Sequence, residues 1–137
     1  MAWLALDQGG HASRALVFGA DGGILATASV PIRTLHPDTG PGHGHVEHDP
    51  EELVGSLRTA VDQACGMLSA GVTLKGAGLA TQRSSMACWR VSDGTALAPV
   101  ISWQDRRNEA WLRQLEPRAA WIRERTGLVL TPHYGAS

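Results

Sequence analysis

Two short apolar runs, residues 3–7 and 14–18, open the chain around a glycine turn and predict a pair of β-strands. Asp21-Gly22-Gly23 is a tight-turn signal, and Ile24 to Arg33 reads as a third strand, so the opening predicts an antiparallel meander. Pro37, Gly40, Pro41, Gly42 and Gly44 then mark residues 34–46 as a loop. The period changes next. Leu53, Leu57, Val61, Ala64, Cys65 and Leu68 recur at helical spacing and predict one buried helix face. Its start is well specified: Asp49 suits the N-cap, Pro50 the first helical position, and Glu52 is placed to complete a capping box. Gly71 is the expected stop. Gly76 to Thr81 is small and apolar, which suits a central strand packed closely against a helix. Met86 to Val91 and Pro99 to Trp103 read as strands joined through Asp93-Gly94. Gln104 to Leu115 reads as a helix, and Pro117 opens another that runs to Arg125 and ends at Gly127.

The 137 residues fit one domain, long enough to bury roughly two-thirds of the surface of the unfolded chain. The formal charge is −1 and no basic stripe appears, which argues against a nucleic-acid partner. No apolar stretch approaches the ~20 residues of a membrane-spanning helix. The first residues reach Asp7 with no basic region, unlike a secretory signal. Cys65 and Cys88 are expected to be buried free thiols, in keeping with a cytoplasmic location. His43, His45 and His48 are reasonable ligand types for zinc or nickel. With no nearby cysteine, and with His48 inside the helix entry, they are not read as a metal site.

Three positions carry candidate chemistry. Asp7 ends an apolar strand just before Gln8-Gly9-Gly10. A carboxylate there is a hard ligand suited to Mg²⁺, and the glycines let backbone N–H groups approach phosphate. A turn aspartate capping its own backbone has the same local pattern. Arg83 follows the small-residue strand, and its fork of donors suits paired acceptors such as sugar hydroxyls. A surface arginine in a local ion pair is the alternative. Trp103 precedes Gln104-Asp105-Arg106-Arg107 and reads either as a platform for the C–H face of a polyol or as a core residue. Arg106 and Arg107 read as structural charges pairing with nearby carboxylates. A two-metal nuclease is excluded, because Thr81-Gln82-Arg83 places no acid beside Asp7.

Five motif groups recur in a fixed order: Leu4-Ala5-Leu6-Asp7-Gln8-Gly9 with Ser13-Arg14-Ala15-Leu16-Val17-Phe18; Val46-Glu47-His48-Asp49-Pro50-Glu51-Glu52; Ala80-Thr81-Gln82-Arg83-Ser84; Ile101-Ser102-Trp103-Gln104-Asp105-Arg106-Arg107; and Arg123-Glu124-Arg125-Thr126-Gly127-Leu128. In this order and spacing the chain resembles the amino-terminal lobe of FGGY-family sugar and polyol kinases, nearest to the glycerol-kinase branch. The resemblance implies an α/β fold of the ribonuclease-H-like type seen in actin, Hsp70 and sugar kinases. That fold has a mixed sheet with flanking helices, and residues 1–137 would form part of the amino-terminal domain, an incomplete lobe. It implies transfer of the γ-phosphoryl group of ATP, with Mg²⁺, to a hydroxyl of a small polyol or sugar. Asp7 would serve the metal and phosphate end as the catalytic carboxylate. Gly9, Gly10, Ser13 and Arg14 would face the cofactor phosphates. Arg83, Ser84, Trp103, Gln104 and His133 would hold the substrate, with Asp105 on the same sugar-facing turn and Tyr134 beside His133.

The chain departs from the glycerol-kinase pattern at three places. Gly10, His11 and Ala12 stand where that branch has hydroxyl residues after Gln-Gly. Ser84 replaces a glutamate that accepts from substrate hydroxyls, and His133 replaces a tyrosine. The loss of that glutamate points away from glycerol toward another polyol or sugar. By the same resemblance, the general base and the adenosine lobe fall beyond residue 137, so the 137-residue chain is expected to be inactive alone. The alternatives are a non-catalytic remnant or binding module with the kinase fold, or one chain of a split kinase. A homo-oligomer or a complementing kinase chain is the expected protein partner.

Overall fold

The opening meander forms as its apolar runs predict. The computed structural model describes residues 1–37 and 44–133. Strands β1 (Ala2–Gln8), β2 (Ala12–Gly19) and β3 (Ile24–Pro31) pair antiparallel, with Asp7 opposite Arg14 and Leu4 opposite Val17. The short strand β4 (Glu47–His48) and helix α1 (Pro50–Gly66) follow, and β5 (Leu74–Thr81) then pairs parallel to β1. The sheet order is β3-β2-β1-β5. The contacts divide the chain into two units, Met1–Thr34 with Asp49–Gln82, and Leu35–His48 with Arg83–Ser137.

The core of the first unit follows from strand alternation. Ala2 and Leu4 of β1, Ala15 and Val17 of β2, and Ala26 and Ala28 of β3 project toward α1, where Ala60 and Ala64 meet them. Six of these eight side chains are alanine, so the helix lies close to the sheet. Asp49 caps α1 as expected, its carboxylate accepting from Glu51 N at 2.9 Å and Glu52 N at 3.4 Å. The expected capping box does not form. Glu52 instead accepts from Arg33 N and Arg33 Nε, both at 3.0 Å, which ties the end of the meander to the helix start.

Three further expectations change in this unit. The buried line of α1 is Ser56, Ala60 and Ala64, because the helix packs over β2 and β3. Leu53, Leu57 and Val61 are only half-buried and line a groove of about 520 Å³ with Leu6 and Leu79. The helix ends at Gly66 with Met67 as C-cap, before Gly71. Strand β5, expected to be central, lies at the edge of the sheet among the described residues, and all eight of its residues are exposed. Its composition suits burial on both faces, yet composition does not supply the neighbours that would bury it.

In the second unit, β4 pairs antiparallel with β6 (Val100–Ile101). The expected hairpin around Asp93-Gly94 is reduced to isolated bridges, Met86 with Ile101 and Trp89 with Ala96. The helix expected from Gln104 starts later, as α2 (Glu109–Leu112), and continues as a 3-10 helix (Arg113–Arg118). The delay has a local cause: the Asp105 carboxylate accepts from Arg107 N at 2.8 Å, a side-chain turn that competes with helix. Helix α3 (Ala119–Thr126) ends at Gly127, whose φ of 72° lies in the left-handed region and whose N–H donates to Arg123 O at 2.8 Å. Cys65 is half-buried and Cys88 exposed; both are free thiols, and neither is the buried core thiol expected.

Candidate functional site

The phosphate-end candidates belong to the first unit. Asp7 is the penultimate residue of β1. Its side chain is 47% exposed, and its only ion pair among the described residues is a 3.5 Å contact with Arg14, its cross-strand neighbour. Such a contact contributes little, so the carboxylate keeps oxygen capacity for a ligand. The loop after it is tightly self-bonded. Gly9 N–H donates to Ala12 O at 3.0 Å, and Gly9 O accepts from Gln82 Nε2 at 2.8 Å. Ser13 is fully buried, and its hydroxyl bonds Ser56 Oγ at 2.7 Å while accepting from Gln8 Nε2 at 2.9 Å. Gly9 N–H and the Ser13 hydroxyl therefore have partners inside the protein. Gly10 and Arg14 keep open positions; a Cβ added at Gly10 would meet nothing closer than Gln82 Oε1 at 3.9 Å. Gln82 was not singled out by sequence, although an amide directly after the end of β5 was a usable signal.

The substrate-end candidates belong to the second unit. Arg83 is exposed and follows the end of β5 by two residues. Strands β1 and β5 are parallel neighbours, and ligands of open α/β sheets gather at strand carboxyl ends. Ser84 has φ of 63°, the only positive φ at a non-glycine among the described residues. A non-glycine residue in this region is strained by roughly 1–3 kcal/mol, a cost that clusters at functional turns. Trp103 is 42% exposed, so it is no core tryptophan. Its backbone N–H donates to Ser85 Oγ at 3.0 Å, and its ring lies 6.3 Å from that of His133, tilted by 59°. The half-buried Gln104 donates its N–H to Ser102 Oγ at 3.3 Å.

Asp105 proves structural rather than sugar-facing. It is 5% exposed, and its oxygens accept from Val46 N at 2.7 Å, Arg107 N at 2.8 Å, Arg107 Nε at 2.9 Å and Arg107 Nη2 at 2.8 Å. Burial alone would raise its pKa, but the bonds from the Arg107 side chain and from the Val46 and Arg107 backbones outweigh it and hold the carboxyl below its ordinary value. The bond to Asp105 in turn raises the Arg107 pKa, aided by Glu47 at 2.6 Å. Arg106 pairs with Glu109 at 2.9 Å, so both arginines have the structural role expected of them. His43 and Tyr134 lie outside the described residues, and no cluster of three or more metal-ligating side chains occurs among those described. His48 is buried, and no helix among the described residues is long and apolar enough to cross a membrane.

A mixed sheet with a carboxylate at the carboxyl end of its first strand is the arrangement of the actin-like sugar-kinase fold. A sequence profile of the FGGY family of carbohydrate kinases, N-terminal domain, matches residues 2–137. The chain belongs to this family. It is 37% identical over 139 residues to the glycerol kinase of Citrifermentans bemidjiense and 39% identical over 140 residues to that of Aromatoleum aromaticum. Each alignment covers 98% of this chain and 27% of the relative, so the chain spans about a quarter of those kinases. Among solved structures, Plasmodium falciparum glycerol kinase with ADP superposes with a TM-score of 0.83 at 20% identity, covering 98% of this chain and 27% of that one. A ligand-bound xylulose kinase from Lactobacillus acidophilus gives a TM-score of 0.82 at 18% identity, covering 96% and 26%. These likenesses show the fold.

Proposed function

We propose that residues 1–137 form the amino-terminal part of an ATP-dependent carbohydrate kinase whose acceptor is a hydroxyl of a polyol or sugar. The observation that carries this reading is the family match over residues 2–137 in a chain that keeps Asp7 half exposed at the carboxyl end of β1. A hard, exposed carboxylate with one weak partner fits Mg²⁺ held directly or through water. Mg²⁺, when bound, neutralises charge on the phosphoryl oxygens. Arg14, released from Asp7, would then donate to a phosphate oxygen. Arg83 offers paired donors to neighbouring hydroxyls, and Trp103 offers an apolar platform with His133 beside it. Ser84 supplies a hydroxyl where the glycerol-kinase pattern has an acid, which supports a substrate other than glycerol. Catalysis of this kind is mostly positioning and charge stabilisation. The proposed setting is the cytoplasm.

The test is ADP release over a panel of polyols and sugars, with the full reading frame beside the 137-residue chain. Substrate-dependent turnover by the full reading frame, and none by residues 1–137, is the expected result. A full reading frame that releases no ADP with any member of the panel would sink the reading. A non-catalytic binding module is the second reading, favoured by the internal use of Gly9 N–H and Ser13. It predicts polyol binding by calorimetry with no ADP release.

A further inference from the structure

Trp103 is held by three consecutive backbone bonds. Ser102 N donates to Val46 O at 2.9 Å, Trp103 N to Ser85 Oγ at 3.0 Å, and Gln104 N to Ser102 Oγ at 3.3 Å. The first and third anchor the turn to its own surroundings. The middle one ties it to the turn that carries Arg83 and Ser84. Just beyond that tie, Met86 and Ile101 exchange two backbone bonds of 2.9 Å, so the two segments are already side by side and Ser85 is the first side chain past the paired region. Ser84, immediately before it, is the strained residue of the unit. A strained turn persists only where its surroundings fix it, and the Ser85 hydroxyl is one such restraint.

We propose that Ser85 is a positioning residue for the substrate end: its hydroxyl couples the Arg83–Ser84 turn to Trp103 and so sets where the indole stands relative to His133. The proposal rests on the kinase reading for its ligand, a polyol or sugar that presents hydroxyls to Arg83 and a C–H face to Trp103. The geometry it concerns does not need that reading. Loss of the hydroxyl would leave Trp103 N–H without this acceptor and free the turn to move. A threonine would keep the acceptor.

Two measurements separate the proposal from the function it serves. In the 137-residue chain labelled with 5-fluorotryptophan, the ¹⁹F resonance of Trp103 is assigned with a Trp103→Phe variant. Ser85→Ala is expected to shift or broaden that resonance while Trp3, Trp89, Trp111 and Trp121 keep theirs, and Ser85→Thr is expected to match the parent. An unchanged Trp103 resonance in Ser85→Ala, or equal changes at all five tryptophans, overturns the proposal whatever the enzyme does. In the full reading frame, Ser85→Ala is expected to raise the KM for the polyol or sugar about fivefold, the worth of one neutral hydrogen bond, with kcat and the KM for ATP unchanged and Ser85→Thr restoring the parent value. An equal loss in kcat for both variants, or no change in KM, contradicts the positioning role. If the parent enzyme phosphorylates nothing, the kinase reading fails and the ¹⁹F arm still decides the role of Ser85.

Discussion

The two units hold themselves together by different chemistry. In the first, the buried apolar side chains are those of alanine, leucine, valine and isoleucine, and the buried hydroxyls of Ser13 and Ser56 bond each other. In the second, the buried set is short and mixed: Val46, Val100 and Leu112 with His48, Ser102 and Asp105. There the Asp105 carboxylate ties the segment around Val46 to that around Arg107, residues far apart in sequence. The first unit draws on a non-directional force that scales with apolar area. The second depends on a few directional bonds whose loss leaves buried groups unpaired. The lesson is where each is vulnerable: one to lost volume, the other to a single lost acceptor or to acid.

That contrast breaks first at Leu4. It is 7% exposed in the core, and Leu4→Ala is expected to cost about 3 kcal/mol by lost burial and cavity formation. Urea melts followed by far-ultraviolet circular dichroism would read the loss; a change below about 1 kcal/mol would show that the core closes around the gap. Asp105→Ala comes next, at about 2–3 kcal/mol, because Val46 N–H and the Arg107 side chain lose their acceptor. Four of the five tryptophans, Trp89, Trp111, Trp121 and Trp103, belong to the second unit, so its melt is read by tryptophan fluorescence. Equal effects of both variants on both probes would mean that the contrast is not real in solution.

Acid should separate the units further. The folded pKa of Asp105 lies below its unfolded value, so its contribution is complete above the ordinary carboxylate range and is lost as pH falls through the folded pKa. Fluorescence midpoints are therefore expected to fall below about pH 4, and Asp105→Asn to flatten that fall. A parent profile as flat as that of the variant would remove Asp105 as the cause. The smaller effects lie on α1. Asp49→Ala is expected to cost about 1 kcal/mol by loss of the cap. Leu57→Ala is also expected to cost about 1 kcal/mol, less than a core leucine, since Leu57 is only half-buried in the groove it shares with Leu6 and Leu79. A Leu57 loss as large as that at Leu4 would show that the groove is closed in solution.

Much of the first unit was legible because its signals are local. Short apolar runs around glycine turns gave the meander, and Asp49-Pro50 gave the helix start to the residue. The buried line of α1 was misread because large side chains dominate a periodicity, whereas the closest helix–sheet contact selects the small ones, Ser56, Ala60 and Ala64. Helix was overread after Gln104 because its propensity ignores the Asp105 side chain that takes the Arg107 N–H. At the candidate site, sequence identified Asp7, Arg83 and Trp103 as residue types in motif context. The resemblance implied a phosphate role for Ser13 and a sugar-facing turn for Asp105, and neither Gln82 nor Ser85 was singled out.

By itself, then, the sequence determined the family, the strand and cap chemistry of the first unit, and a carboxylate at the end of its first strand. Those depend on residues near one another in the chain or on an ordered series of motifs. Only the tertiary structure decided which polar groups are still open to a ligand. Ser13 is closed off by Ser56, Gly9 by Ala12 and Gln82, and Asp105 by Val46 and Arg107. A hydrogen bond is settled by what lies within about 3 Å in space, and for most of these groups that partner stands tens of residues away.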